Sequence, residues 1–167
     1  ALKESLKRNE INTAILDVWE NEPDIDQELL NLVKLGTPHI AGYSRDGKAN
    51  GTAQSIRALS HFFNLGLDGW YPKDIEAPEN PVITINDSKS TIREEIFHAI
   101  KVTYKVEEDD KRLRNRPEEF EKQRGNYPVR REFNAYKLES TRKLSTPERE
   151  KFKDLGFQLS QIKNIQN

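Results

Sequence analysis

The sequence predicts an α/β fold continued by a smaller α+β unit of β-α-β-α-β order, and three observations carry that prediction. The run Ala14-Ile15-Leu16-Asp17-Val18-Trp19 is nearly all apolar at strand length, as in a parallel strand covered on both faces. From about Lys48 to Leu65, Ala49, Ala53, Ile56, Leu59 and Phe63 recur at helical spacing. Beyond a stretch rich in glycine and proline, strand-like and helix-like segments alternate. The boundaries that follow are 1–66 for the first unit, 67–81 for a linker and 82–167 for the second.

Taken in order, Leu2 and Leu6 stand four apart on one face of a short helix. The strand over 14–19 comes next, with Asp17 its one charged residue, near the carboxyl end where α/β folds place ligands. Glu22-Pro23 breaks the run, and Asp24 or Asp26 caps a short helix bearing Leu29, Leu30 and Val33. Gly36-Thr37-Pro38 ends that helix and forces an extended approach to His39. Gly66 is the expected cap of the long helix. The linker holds Trp70-Tyr71, which suits an aromatic staple onto the neighbouring unit.

In the second unit, Val82–Ile85 reads as a strand, and Ser88 or Ser90 as the cap of a helix carrying Ile92, Ile96, Ala99 and Thr103. Pro117 opens another helix with Phe120 inside it. Glu132 to Leu138 alternates like a half-exposed strand. Ser145-Thr146-Pro147-Glu148 starts a helix that Gly156 stops, and Phe157 to Ile162 forms a last strand.

Composition narrows the function. Lys+Arg 27 against Asp+Glu 28 leaves a net charge of -1, so no global field steers the chain to nucleic acid or a membrane surface. No apolar run reaches the roughly 18 residues of a membrane span, and no signal peptide is legible. Without cysteine there is neither disulfide nor thiolate zinc site, which suits the cytoplasm. Ala1 opens in what reads as mid-helix and the chain has no methionine, so we expect a segment upstream.

The chemistry concentrates in Leu16-Asp17-Val18-Trp19-Glu20-Asn21-Glu22-Pro23 and Thr37-Pro38-His39-Ile40-Ala41-Gly42-Tyr43. A lone loop histidine is more often structural, and a Glu-Pro pair is more often a turn. Here, however, two segments leaving one sheet edge offer a carboxylate and an imidazole that can meet. A carboxylate facing His39 favours the charged imidazole and tunes it for proton exchange near neutral pH. Asp17 is placed to accept hydrogen bonds from a cofactor amide, and Gly42 to let a ligand approach the backbone.

These two motifs resemble the closing signature of the D-2-hydroxyacid dehydrogenases. The resemblance implies NAD as cofactor, His39 as catalytic acid/base and Glu22 as its partner. It also implies that Asp17 and Gly42 lie on NAD. Within that family, Gly42 through Thr52 is similar to one branch in which a tyrosine, here Tyr43, contacts a phosphorylated 2-hydroxy acid substrate. That branch carries an extra dimerisation domain, similar to Tyr104-Lys105-Val106, Glu119-Phe120, Tyr127, Arg130 to Phe133 and Leu155-Gly156-Phe157 here. On this resemblance residues 1–66 are the C-terminal part of a Rossmann-type nucleotide-binding domain with its crossing helix, and the tail makes a homodimer.

Departures from the pattern are as plain. No G-x-G-x-x-G occurs, and the family's catalytic arginine is expected upstream of Ala1. Two alternatives stand beside this reading: another D-2-hydroxyacid dehydrogenase, such as a phosphoglycerate dehydrogenase with a regulatory ligand-binding tail, or a non-catalytic dimerisation fragment. The loop 86–91 (NDSKST) lacks the glycines that such ligand-binding tails use. Between Glu107 and Glu132 eight basic residues face eight acidic ones, so the arginines there form no nucleic-acid stripe. A sharper expectation is that Arg130 or Arg131 reaches a substrate phosphate across a dimer. His61 and His98 lack a second ligand at metal-binding spacing and read as structural or exposed.

Overall fold

A computed structural model of the chain describes residues 1–85 and 91–160. Its first elements are α1 (Leu2–Lys7), β1 (Ile15–Leu16), α2 (Gln27–Leu32), β2 (Leu35–Gly36) and α3 (Arg45–Phe63). They are followed by β3 (Val82–Ile85), α4 (Ile92–Thr103), α5 (Val106–Asn115) and, after a 3₁₀ turn at Pro117–Glu119, α6 (Phe120–Gly125). A second 3₁₀ turn at Phe133–Ala135 leads into β4 (Lys137–Ser140), α7 (Thr146–Asp154) and β5 (Gln158–Leu159). The architecture is mixed α/β with two small parallel sheets. None of the described helices is long and apolar enough to cross a membrane.

Contacts group the chain into two units: Ala1–Tyr43 with Lys105–Pro128, and Ser44–Tyr104 with the segment from Val129 onward. That grouping crosses the boundaries expected at 66 and 82. The expected first unit loses the long helix α3, and the expected second unit loses α5 and α6.

In the first unit β1 pairs in parallel with β2, Ile15 opposite Leu35 and Leu16 opposite Gly36. The core gathers Leu6, Trp19, Ile25, Leu30, Val33, Leu113 and Phe120. Gly36 is required by packing: a Cβ there would lie 2.7 Å from Leu30 Cδ1 and 2.9 Å from the Trp19 ring. The buried indole of Trp19 donates to the Thr37 carbonyl at 2.9 Å, so its one polar atom is satisfied. Asp26 is the cap of α2, its carboxylate accepting from the Leu29 amide. The strand expected over 14–19 pairs only at Ile15–Leu16, and Ile15 and Val18 are 70% and 61% exposed. The reason is that β2 is the only described neighbour of β1, so one edge and one face stay open.

The presence of α5 was not legible as a hydrophobic stripe, because Leu113 is the only apolar residue it buries. Its signal is electrostatic: Glu107, Glu108 and Asp109 in the first turn and Arg112 and Arg114 in the last complement the helix dipole. Polar anchors seat it on β2. Asp110 accepts from the Gly36 amide at 2.7 Å, and Arg114 donates to the carbonyls of Leu30 and Val33 at the end of α2.

In the second unit β3, β4 and β5 form a parallel sheet in that order, with Ile83 opposite Leu138 and Leu138 opposite Leu159. Ile83, Ile85, Ala99, Tyr136, Leu138, Leu144, Phe152 and Phe157 form the core. All its described strands run parallel, so this unit is α/β in character among the described residues, where an α+β sandwich was expected. The strand expected over 132–138 begins only at Lys137. Phe133 stacks on Phe157 (4.7 Å between ring centres) and the Glu132 amide donates to Asp46, so the chain turns before it extends.

The helix expected from Lys48 begins at Arg45, capped by Ser44, whose hydroxyl accepts from the Gly47 amide. It ends at Asn64 in the left-handed region (φ 52°), ahead of the expected Gly66, because the Asn64 amide bonds back to Ser60. Its apolar stripe is buried at Ala49 and Ala53 and uncovered toward its end, where Leu59 and Phe63 are exposed. The linker has no regular structure, and Tyr71 donates to Asn50 of α3 as the staple reading expected. Thr91 caps α4 in a capping box with Glu94, while Ser88, Ser90 and Ile162 lie outside the described residues. The box at Ser145 and Glu148 and the stop at Gly156 (φ 99°) are as expected.

Candidate active site

The site is assembled where two parallel strands end at the same edge of the small sheet. After Leu16 the chain delivers Asp17, and after Gly36 it delivers Thr37-Pro38-His39. Asp17 ties the two together. Its carbonyl accepts the His39 amide at 2.8 Å, and its carboxylate accepts the Thr37 hydroxyl (2.7 Å) and the amides of Ile40 (2.8 Å) and Ala41 (3.0 Å). Those bonds offset a strained backbone, since His39 adopts φ 53°, which costs a side-chain-bearing residue about 1–2 kcal/mol.

Glu22 arrives through a turn whose Asn21 also has positive φ (61°), a conformation that asparagine tolerates. One carboxylate oxygen of Glu22 accepts the Trp19 amide at 2.8 Å, and the other meets His39 Nδ1 at 2.8 Å. Glu22 is 18% exposed and His39 44%, so the carboxylate lies inside and the imidazole outside. Partial burial pushes the Glu22 carboxyl up. The hydrogen bond from His39, the Trp19 amide and the charge of Arg124 outweigh it, holding Glu22 below the usual carboxylate range. An ionised carboxylate only accepts, so Nδ1 carries the proton and Nε2 is the nitrogen left for proton exchange.

The expected pair therefore meets. The other expected residues are placed as follows. Asp17, expected to face a cofactor, spends three acceptor positions on its own loop. Beside Gly42 a Cβ would meet nothing within 4 Å, so that side of the loop is open. The Tyr43 ring packs edge-on against Tyr127 at 6.1 Å.

Arg124 is the residue that sequence reasoning missed. Its Nε donates to the His39 carbonyl at 3.4 Å, and its guanidinium lies 5.5 Å from the centre of the Tyr43 ring. Nothing in spacing joins residues 85 positions apart. The available signal was local: Arg124 follows the apolar Phe120 by four residues, so both share one face of α6, and Phe120 is fully buried.

Arg131, one of the two arginines expected at a substrate phosphate, is engaged within the chain. Its guanidinium forms a fork with Asp46 (2.8 and 3.0 Å) and donates to the Glu76 carbonyl. With 13% and 6% of their side chains exposed, that pair holds the start of α3 against the segment before β4. Arg130 lies over the Tyr104 ring at 4.3 Å. His61 faces Asp68 at 3.7 Å on an exposed surface, and His98 is exposed.

Comparison with known proteins agrees across most of the chain. Residues 75–156 match a family described only as a domain of unknown function (DUF3410). The chain is 46% identical over 138 residues to an erythronate-4-phosphate dehydrogenase of Bacteroides thetaiotaomicron, covering 83% of this chain and 37% of that protein. It is 44% identical over 142 residues to the erythronate-4-phosphate dehydrogenase of a Bacteroides fragilis strain, covering 85% and 38%. It is 39% identical over 146 residues to that of Teredinibacter turnerae, covering 84% and 39%. The chain thus spans less than two-fifths of the length of these relatives.

Proposed function

We propose that this chain, similar over more than four-fifths of its length to erythronate-4-phosphate dehydrogenases, carries the acid/base half of an NAD-dependent dehydrogenase site. The observation that carries the reading is the 2.8 Å contact between His39 Nδ1 and a Glu22 carboxylate that is itself ionised and fixed. The reaction is oxidation of 4-phospho-D-erythronate at C2 to 2-oxo-3-hydroxy-4-phosphobutanoate, on the way to pyridoxal phosphate. The protein works in the cytoplasm as a homodimer through its C-terminal region.

His39 Nε2 takes the C2 hydroxyl proton of the substrate. Glu22 keeps the Nδ1 proton in place and balances the charge as the imidazole becomes imidazolium, the arrangement that lets a histidine act as general base. Asp17 maintains the backbone that aims the ring. The nicotinamide cofactor, when bound, accepts the hydride. What this chain offers it fits in part. Asp17 has about four acceptor positions, of which three are filled, and the loop beside Gly42 is open. Tyr43 is the residue proposed to contact substrate.

The test is NAD reduction by the intact protein with 4-phosphoerythronate and with 3-phosphoglycerate, before and after His39→Ala. Turnover of 4-phosphoerythronate that falls by about 10²–10⁴ in the variant is expected. Turnover of neither substrate would end the reading, and activity that survives His39→Ala would end the mechanism.

A further inference from the structure

The strongest unassigned feature of the first unit is a cation that two separate contacts hold against the imidazole loop. Arg124 reaches the His39 carbonyl and the Tyr43 ring from α6, an element distant in sequence, and its charge favours the ionised Glu22 carboxylate. Its side chain is 21% exposed, so the guanidinium is mostly withdrawn from water. The ion pair with Glu121 gives little reason for that, since Glu121 is 63% exposed and surface pairs of this kind contribute little. The packing around the arginine is built to hold it. Phe120, one turn earlier on α6, is fully buried beneath the guanidinium, which lies 6.0 Å from its ring centre. Tyr127, whose hydroxyl donates to Asp109, packs edge-on against Tyr43.

We propose that Arg124 is a positioning residue for the His39–Glu22 pair, holding the His39 carbonyl and the Tyr43 ring so that the imidazole stays on the Glu22 carboxylate. The proposal rests on the acid/base reading above and goes beyond it. Arg124 meets the main chain of His39. Its Nε reaches the carbonyl of the residue with left-handed backbone, while Asp17 holds the amide of that same residue, so His39 is secured on both sides. Its charge favours the ionised carboxylate on which the Nδ1 proton depends. The titratable groups around the pair are Glu22 and His39 themselves, Asp17 beneath the loop, and Arg124 with Glu121 from α6.

The test compares Arg124→Gln and Arg124→Lys with the parent in the intact protein, measuring kcat, KM and the pH profile of kcat for NAD reduction with 4-phosphoerythronate. General acid/base catalysis contributes about 10²–10⁴, and a loosened imidazole forfeits part of it, so Arg124→Gln lowers kcat roughly tenfold with KM nearly unchanged. Removing a cation beside the pair favours its protonated forms, so the acid limb of the profile moves to higher pH. Arg124→Lys keeps the charge and returns the limb toward that of the parent. A kcat and profile left unchanged by Arg124→Gln, in a protein that His39→Ala inactivates, would overturn the proposal and leave the acid/base reading standing. A raised KM at constant kcat would also overturn it, assigning Arg124 to substrate binding. A fall in kcat with an unmoved acid limb and no rescue by lysine would reduce the residue to a packing role. Where Arg124→Gln melts early, Arg124→Lys carries the test by itself, because a limb displaced despite the retained charge would overturn the proposal.

Discussion

The main chain of His39 hangs on Asp17: the His39 amide donates to the Asp17 carbonyl at 2.8 Å, and the two following amides donate to the Asp17 carboxylate. A residue introduced by its position at a strand end thus turns out to be the internal brace of the His39 loop.

Removing that brace leaves the Thr37 hydroxyl and the Ile40 amide, both on buried residues, without their acceptor. Each orphaned buried donor costs about 1–3 kcal/mol, so Asp17→Ala destabilises the protein by roughly 2–6 kcal/mol. Urea unfolding of parent and variant checks the figure. Faster hydrogen exchange at Ile40 and Ala41 than elsewhere places the loss in the loop.

Glu22→Gln tests the charge apart from the hydrogen bond. Glutamine can still accept from the Trp19 amide, but its NH₂ then faces His39 Nδ1 and demands the tautomer that puts the proton on Nε2. That tautomer cannot act as base, so kcat falls by about 10²-fold or more while the melting temperature changes little. Steady-state kinetics and a thermal melt on one preparation separate the two effects.

Gly36→Ala checks the packing beneath the site. The added methyl would meet Leu30, 2% exposed, and the Trp19 ring, 6% exposed, so one of these buried side chains must shift. A cost of about 1–3 kcal/mol is expected for such overpacking, read from the denaturation midpoint.

The second unit has its own acid-sensitive contact. Glu148 is held at about 2 by hydrogen bonds from Arg142 and from Ser145, well below the usual carboxylate value. The folded state therefore binds the Glu148 proton less readily than the unfolded chain does. Its contribution to stability is whole above about pH 4.5 and is lost as pH falls toward about 2. Glu148→Gln should lower stability at neutral pH, and the gap from the parent should close across that window in urea titrations at a series of pH values. A gap that stays constant would show that Glu148 contributes through packing.

What could be read from the residues themselves was what local rules govern. Caps at Asp26 and Ser145, the break at Pro23 and the stop at Gly156 each depend on a few neighbouring residues. The helix expected to end at Gly36, by contrast, stops at Leu32, and the approach expected to be extended turns at Pro38, where the His39 amide donates to the Thr37 carbonyl. The chemistry of the pair is again local, because an imidazole and a carboxylate leaving one sheet edge are defined by residue type and strand order. The resemblance of those two segments to the D-2-hydroxyacid dehydrogenases is likewise a property of the linear chain. Only the tertiary structure decided which distant side chains close around them. Arg124 reaches His39 across 85 positions, Arg114 reaches Leu30 across 84, and Arg131 reaches Asp46 across 85. Periodicity and capping act over one or two helical turns and carry no information about such partners. Their positions follow from which apolar faces are buried together, as Phe120 and Leu113 are with Trp19, and that is settled by packing alone.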